Sequence, residues 1–396
     1  MPHPVSPSQA SSPVRTDHSA PLGSPGPDAP GQLRHHDSAG VRRTHTVPFA
    51  PSPIGARWAY GEACGLLLIA SWQSAAGAIY AFTRITGATW NPHTVSATIT
   101  GGQLVSSVVL FFWLNLLVIG RTPPSMATAR RMTLRLLAVA VGASAVATAV
   151  PDHGFSRSPF LGLFVFSAGL VWLTVEICLR HGITPTRLGA WPLRPVTAER
   201  REEWKNIADS TAVALAAGGG GAFLLVSVLQ GAGLTRLVMP GTQQQALGMG
   251  GIWEIASALI FTVVLEDLIM VAAVVALLTA ARRPAWEIYT IICIAEVAVH
   301  LYFGLPALAF LPYAWLRIRL YRRHAQVIPM LAVHLAFDTF GILMWTLPFT
   351  FTERLLYTCA GIALFLAVDF LRRRVPRRLS HREDDKRSTI ATDPAS

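Results

Sequence analysis

The stretch FTVVLEDLIMVAAVV, residues 261–275, decides the fold because it is apolar throughout apart from Thr262 and two adjacent acids. It lies within a longer apolar block, residues 251–281. An α-helix of about twenty apolar residues is long enough to cross the hydrocarbon core of a bilayer. The stretch therefore predicts a transmembrane helix that carries Glu266 and Asp267 inside the membrane.

The whole chain has a similarly apolar composition. Of its 396 residues, 52% are hydrophobic and only 14% are charged, and the mean hydropathy is +0.43. A soluble domain carries roughly a quarter charged residues, so this composition argues against a soluble globular protein. The apolar residues fall in blocks and predict an all-α, polytopic membrane helical bundle of about ten transmembrane helices. These blocks lie near residues 59–83, 96–120, 132–150, 159–179, 210–230, 251–281, 285–303, 304–317, 327–347 and 354–371.

Basic residues are concentrated in every second loop. Arginines cluster before the first block and after every even-numbered block, and Arg317 and Arg319 are assigned to the basic turn after the eighth. The positive-inside rule then predicts a cell-membrane protein with both termini in the cytoplasm. Because these basic residues sit at block edges, the formal charge of +11 is explained by orientation in a bilayer, and we expect no nucleic-acid partner.

The chain is predicted to have five regions. Residues 1–56 are rich in Pro, Ser, Gly and His and should form a disordered tail. Residues 57–180 form a first group of four helices, and residues 181–209 form a cytoplasmic loop. Residues 210–371 form the membrane core that carries the unusual chemistry, and residues 372–396 form a basic tail. The four cysteines lie singly in apolar segments, which is typical of core residues rather than of a disulfide or zinc framework.

Two of the late blocks each carry a carboxylate and an imidazole. Glu296 and His300 are four residues apart, as are His334 and Asp338, so each pair projects from one helix face. An ionisable side chain at mid-bilayer costs roughly 2.5–3.5 kcal/mol on insertion scales, so such residues usually mark a site. We expect these groups to share one polar cavity.

Glu266 and Asp267 are adjacent and should point about 100° apart on an α-helix. We therefore expect only one of them to face the cavity while the other contacts a neighbouring helix. The block boundaries also place His300 nearer the outer face and His334 nearer the inner face, which opposes a shared cavity unless the eighth block is short.

These residue types suit several functions. A buried carboxylate can take a proton from water while an imidazole binds the oxyanion of an attacked amide. Each residue alone is equally consistent with a hydrogen bond between helices, and the set also suits a proton-coupled transporter. Glu266, His300 and His334 could hold a divalent metal such as zinc, but there is no HExxH motif, so we expect no required cofactor.

The ordered motifs resemble the CAAX proteases and bacteriocin-processing proteins, the CPBP or Abi group of intramembrane endopeptidases. That family has EExxxR, then FxxxH, then HxxxN or HxxxD on successive helices. The resemblance runs from Trp253 to Phe340, and LPYAWLRIRLYRRHAQVIPMLAVHLAFD, residues 311–338, is similar to the family's last segment.

The resemblance implies a role for each matching residue. Glu266 would be the general base that activates water, with Asp267 at the second acidic position. His300 would assist the water or the carboxylate, and His334 with Asp338 would stabilise or orient the oxyanion. The implied substrate is a membrane-associated or prenylated protein or peptide.

The chain departs from the family pattern at two positions. Val271 stands where the family has its arginine, and Glu296 stands where the second motif has phenylalanine. Loss of that cation makes a catalytically decayed immunity or scaffold protein the main alternative. The additional carboxylate at Glu296 also leaves open a related group of membrane proteases that cleave anti-sigma factors.

Three other features have structural explanations. The run Gly218–Gly221 lacks the spacing of a phosphate loop and should permit close helix packing. Glu62 and Glu176 lie near predicted helix ends, from which they can reach the membrane interface. Glu202 and Glu203 are flanked by basic residues, which is typical of a solvated interfacial helix.

Overall fold

The fold is known from a computed structural model, which describes residues 49–89, 91–150, 159–239 and 251–346 and separate residues between 352 and 363. The basic tail, most of the N-terminal tail and most of the tenth apolar block lie outside the described residues.

The described residues are helical and form no strand, which confirms the all-α prediction. The helices are α1 (Ala56–Ser71), α2 (Ala75–Thr86), α3 (Pro92–Arg121), α4 (Thr128–Ala149), α5 (Pro159–Arg180), α6 (Ala198–Gly231), α7 (Ile252–Ala280), α8 (Ala285–Val299), α9 (Phe310–His324) and α10 (Ile328–Thr346). Among the described residues, α3, α4, α5, α6 and α7 are long and apolar enough to cross a membrane, so the chain is a helical membrane protein.

The loop before α6 is shorter than predicted. The expected loop 181–209 ends at Thr197, whose side chain accepts a hydrogen bond from the backbone N–H of Arg200 at 3.2 Å and so caps α6. The charged residues that follow are helical because the Thr197 cap lets α6 begin in a polar segment. The second part of the predicted loop is therefore the polar first turns of α6.

Helix α7 forms the centre of the bundle. Every residue from Leu265 to Leu278 is buried, and α1, α5, α8, α9 and α10 pack around this helix. A helix that is apolar on all sides can bury its whole surface only when other helices surround it. The two acids of α7 are consequently enclosed by the bundle.

The glycine run of α6 allows close helix packing, as its composition predicts. A Cβ atom on Gly218 would lie 2.8 Å from Cβ of Tyr313 on α9, and one on Gly219 would lie 3.4 Å from the ring of Phe337 on α10. A side chain on Gly218 would force Tyr313 to move, whereas the distance at Gly219 is an ordinary van der Waals contact, so the close approach depends on Gly218. The run therefore seats α6 against the two helices that carry Arg317 and His334.

The connection between α8 and α9 is a compact double turn. It comprises two short 3₁₀ segments, Leu301–Phe303 and Leu305–Ala309, separated by Gly304. Gly304 has φ of +79°, and a Cβ atom there would lie 2.3 Å from the carbonyl oxygen of Leu237. The backbone N–H of Met239 also donates to the carbonyl of Phe303 at 3.0 Å. The segment after α6 thereby fixes the turn that follows His300.

Candidate functional site

Both acids of α7 line a single polar cluster. Glu266 and Asp267 lie in the π-helical segment Val264–Ala273, and both are buried. A π-helix has about 4.4 residues per turn, so adjacent side chains diverge by about 80° instead of 100°. Asp267 contacts neighbouring helices as expected, at 3.4 Å from Nε of Arg317 and 2.8 Å from Nδ1 of His334. Because both residues also contact Glu266, the expectation that only one acid faces the cluster is wrong.

Arg317 of α9 is fully buried, with 0% exposure, between these two acids. Its Nη1 lies 3.0 Å from Oε2 of Glu266, and its Nη2 donates to the backbone carbonyl of Glu266 at 2.6 Å. Its Nε lies 3.4 Å from Oδ1 of Asp267. The assignment of Arg317 to a basic turn is thus wrong. A guanidinium can be buried here because three oxygens surround it.

Tyr313 fixes the orientation of this guanidinium. Its hydroxyl is hydrogen-bonded to Nη1 of Arg317, and Cζ of Arg317 lies 4.3 Å from the centre of its ring. The signal for this pair in the sequence is the spacing of Tyr313, Arg317 and Tyr321, which recur every four residues on one helix face. All three are buried, whereas Arg319 on another face is exposed.

The two imidazoles approach Glu266 from different helices. Nε2 of His300 lies 3.6 Å from Oε1 of Glu266, and Nε2 of His334 lies 3.7 Å from Oε2. The difference in depth expected from the block boundaries does not separate the two imidazoles, because those boundaries shift and the helix of the eighth block begins only at Phe310. Helix α8 has 15 residues and rises only about 22 Å, which is less than a hydrocarbon core of about 30 Å. His300 follows the end of this short helix and so reaches Glu266.

Hydrogen bonds fix the proton on Nδ1 of each imidazole. His300 Nδ1 lies 2.9 Å from the backbone carbonyl of Glu296, and His334 Nδ1 lies 2.8 Å from Oδ2 of Asp267. A carbonyl or carboxylate oxygen only accepts, so Nδ1 donates in both cases. Both Nε2 atoms are consequently turned toward the Glu266 carboxylate. The ring of His300 also stacks on Phe310 at 3.8 Å between centroids.

Glu296 is buried and completes the cluster on its α8 side. Its Oε2 lies 3.7 Å from Nη2 of Arg317, and its Oε1 lies 3.6 Å from Nδ1 of His300. These are ion-pair distances. Neither carboxyl oxygen has a hydrogen-bond partner within the described part of the chain.

Asp338 lies at the edge of the cluster. Its Oδ2 is 3.4 Å from Nε2 of His334, and 28% of its side chain is exposed, whereas the other five acids and imidazoles are buried. The structure thus brings together Glu266, Asp267, Glu296, His300 and His334 and joins Asp338 to them through His334.

No family model, no curated protein and no solved structure matches this chain.

A metal could bind at one part of the cluster. Glu266, Glu296 and His300 each offer a ligand atom, and these atoms lie within 4.8 Å of one another. The sequence suggests His334 as the third ligand, but Glu296 is the third member of this group because the His334 ring is hydrogen-bonded to Asp267. A bound cation would lie beside Arg317, whose guanidinium already contacts Glu266 and Glu296. The site therefore has a resident positive charge of its own.

Proposed function

We propose that this protein is an intramembrane endopeptidase of the kind that its motifs resemble, the CPBP proteases. The observation that supports this proposal best is the environment of Glu266, whose carboxylate lies between two imidazole Nε2 atoms and is held from behind by Arg317. The reaction proposed is hydrolysis of a peptide bond by a water molecule that Glu266 activates.

The distances around Glu266 suit a shared water. The two Nε2 contacts of 3.6 and 3.7 Å are longer than hydrogen bonds, and a water beside Glu266 could bridge either of them. Glu266 would take a proton from the water while the water oxygen attacks the amide carbon. Glu266 would then pass that proton to the leaving amine. An Nε2–H of protonated His334 would stabilise the oxyanion, with Asp338 beside it.

Arg317 weakens the case for a decayed enzyme. That case rests on Val271, which stands where the family arginine is expected. In this fold the cation comes instead from α9, and it contacts Glu266 at 3.0 Å. We infer that Arg317 supplies the positive charge that the family arginine would supply beside the acids, and that the site is active without a required metal.

The substrate proposed is a membrane-associated or prenylated-type protein that reaches the site from the lipid. Asp338 is the cluster's partly exposed member, and Leu335, three residues before it on the same face of α10, is an exposed apolar residue. An exposed apolar helix face with one acid in it suits the approach of a substrate from a bilayer.

The proposed topology has ten spans and cytoplasmic termini in the cell membrane. Cysteine-accessibility labelling in intact cells tests this topology. A cysteine placed in a loop that follows an even-numbered apolar block should lie in the cytoplasm and react only after the membrane is permeabilised.

A peptidase assay in liposomes tests the proposed reaction. Full-length protein is offered a panel of quenched transmembrane peptides and prenylated C-terminal peptides. The wild type should cleave at least one of these peptides. Glu266→Gln should lower the cleavage rate about 100-fold or more, and the surface control Glu202→Gln should cleave at the wild-type rate. Equal rates for wild type and Glu266→Gln, or no cleavage across the panel, would refute the proposal.

A proton-coupled transporter is the second candidate. The ionisable groups form a continuous series from partly exposed Asp338 through His334 to buried Glu266 and His300, and such series also carry protons in transporters. Proton flux into sealed liposomes that depends on Glu266, without any peptide cleavage, would favour this function.

A further inference from the structure

A second hydrogen-bonded group lies outside the cluster, where the segment before α1 meets the end of α5. Ser52 Oγ lies 2.6 Å from Nδ1 of His181, and Nε2 of His181 lies 2.8 Å from Oε2 of Glu62. The backbone N–H of Ser52 also donates to the carbonyl of Ala280 at 3.1 Å. Glu266 and Ala280 are separated by roughly 20 Å of helix α7, so this group is distinct from the cluster.

The direction of both hydrogen bonds follows from the acid. A carboxylate only accepts, so Nε2 of His181 carries the proton that it shares with Glu62. Nδ1 is then the basic nitrogen, and the hydroxyl of Ser52 donates to it. These are the three groups of a serine nucleophile, a histidine base and an orienting acid, with the two ring nitrogens exchanged relative to a Ser-His-Asp triad.

Burial separates the roles of the three residues. His181 and Glu62 are buried, whereas Ser52 is only partly buried. Glu62 also accepts a hydrogen bond from Arg180 at 2.6 Å, and 38% of the Arg180 side chain is exposed. Hydrogen bonds thus hold Glu62 and His181 inside the protein, and Ser52 is the least buried of the three residues.

Groups that could bind an anion lie close to Ser52 in the chain. Helix α1 begins four residues later, and Gly55 at its N-terminus offers no side-chain cap to the N–H groups of the first turn. Such N–H groups are suited to a developing oxyanion. Arg180 lies over the exposed ring of Trp58 at 5.5 Å, and tryptophan and arginine together are typical of the membrane–water interface.

We propose that Ser52, His181 and Glu62 form a second, esterase-type site for the carboxylic ester of an anionic amphiphile at the membrane surface. Ser52 Oγ attacks the ester carbonyl and gives its proton to Nδ1 of His181. The carbon–oxygen bond to the alcohol breaks, and the alcohol leaves with that proton. Water then hydrolyses the acyl-serine, which releases the carboxylic acid and restores the hydroxyl.

Covalent labelling of purified full-length protein with an alkyl fluorophosphonate tests this site. The probe forms an Oγ–phosphorus bond as fluoride leaves, and peptide mass mapping locates the adduct. Wild type should be labelled at Ser52 and not at Ser125, which lies exposed in the turn between α3 and α4. Ser52→Ala should remove the label, and His181→Gln should slow labelling by about 100-fold.

Two further variants make the result unambiguous. Glu266→Gln should be labelled at the wild-type rate, so the outcome does not depend on the peptidase proposal. Glu62→Gln keeps a hydrogen-bond acceptor and should slow labelling even where His181→Gln proves unstable. Absence of label on Ser52 in folded wild type, or equal labelling rates in wild type and Glu62→Gln, would overturn the proposal.

Discussion

Arg317 and Glu266 are 51 positions apart in the chain, yet their side chains meet at 3.0 Å inside the bundle. The same guanidinium reaches Asp267 at 3.4 Å and Glu296 at 3.7 Å. One cation from α9 therefore faces three carboxyl groups from α7 and α8. The contact between Arg317 and Glu266 therefore links α9 to the acids of the central helix α7.

Removing that cation should destabilise the protein strongly. We expect Arg317→Met to cost about 3–5 kcal/mol of unfolding free energy, because buried carboxylates lose their partner. Arg319→Met is the matched control on an exposed face of the same helix, where Arg319 stacks on Trp315 at 5.2 Å, and it should lower the free energy of unfolding by about 1 kcal/mol or less. Unfolding in detergent measures both. Similar values for the two variants would contradict the role given to Arg317.

Placing an arginine at the family position should not help. Val271 is fully buried in the core around α7, and the acids already have Arg317. We expect Val271→Arg to lower the free energy of unfolding by more than about 3 kcal/mol, because it adds a large unpaired cation to a packed core, and to gain no peptidase activity. Peptide cleavage and unfolding are measured together. A gain in cleavage would mean that the natural site is decayed.

The turn after His300 should tolerate only glycine at position 304. Gly304→Ala combines a positive φ with a clash against the carbonyl of Leu237. It should therefore lower the free energy of unfolding by more than about 3 kcal/mol and displace His300. Gly233 has a similar φ of +76°, but a Cβ atom there would have nothing within 4 Å, so Gly233→Ala should cost only about 1 kcal/mol. Unfolding and cleavage rates distinguish the two. Equal losses would show that the clash is unimportant.

The close packing of α6 on α9 should be sensitive at one glycine and tolerant at a neighbour. A Cβ on Gly218 would lie 2.8 Å from Cβ of Tyr313, so Gly218→Ala should cost about 1–3 kcal/mol. A Cβ on Gly221 would meet Cβ of Ala309 at an ordinary 3.5 Å, so Gly221→Ala should be nearly neutral. Thermal unfolding of both variants checks this order, which a reversed result would contradict.

Chelation should leave peptidase activity unchanged. Arg317 already supplies positive charge beside Glu266, so the proposed reaction needs no metal. Cleavage is measured after dialysis against a strong chelator and again after zinc is added back. If activity disappears and zinc restores it, the group formed by Glu266, Glu296 and His300 is a metal site instead.

Several features follow from local sequence pattern. Apolar blocks predict membrane helices because only a helix satisfies its own backbone in lipid, and five helices of the described residues meet that requirement. The four-residue spacing of His334 and Asp338 places both on one face of α10, and their side chains meet at 3.4 Å. The run Gly218–Gly221 predicts close packing, which the neighbours of Gly218 confirm.

Other features depend on which helices become neighbours. Arg317 reads as part of a basic turn because Arg319, Arg322 and Arg323 surround it in sequence. Its burial becomes favourable only when α7 presents Glu266 and Asp267 to α9. The orientation of both acids likewise depends on a π-helical segment that α-helical spacing does not predict.

The amino-acid sequence alone determined that this chain forms membrane helices and that its late helices carry acids and imidazoles, because hydropathy and helical period act over neighbouring residues. Tertiary structure decided that Arg317 is their partner and that Ser52 meets His181, 129 positions away. Such contacts form between distant segments, and their energy comes from pairing charges and polar groups that would be costly to bury alone.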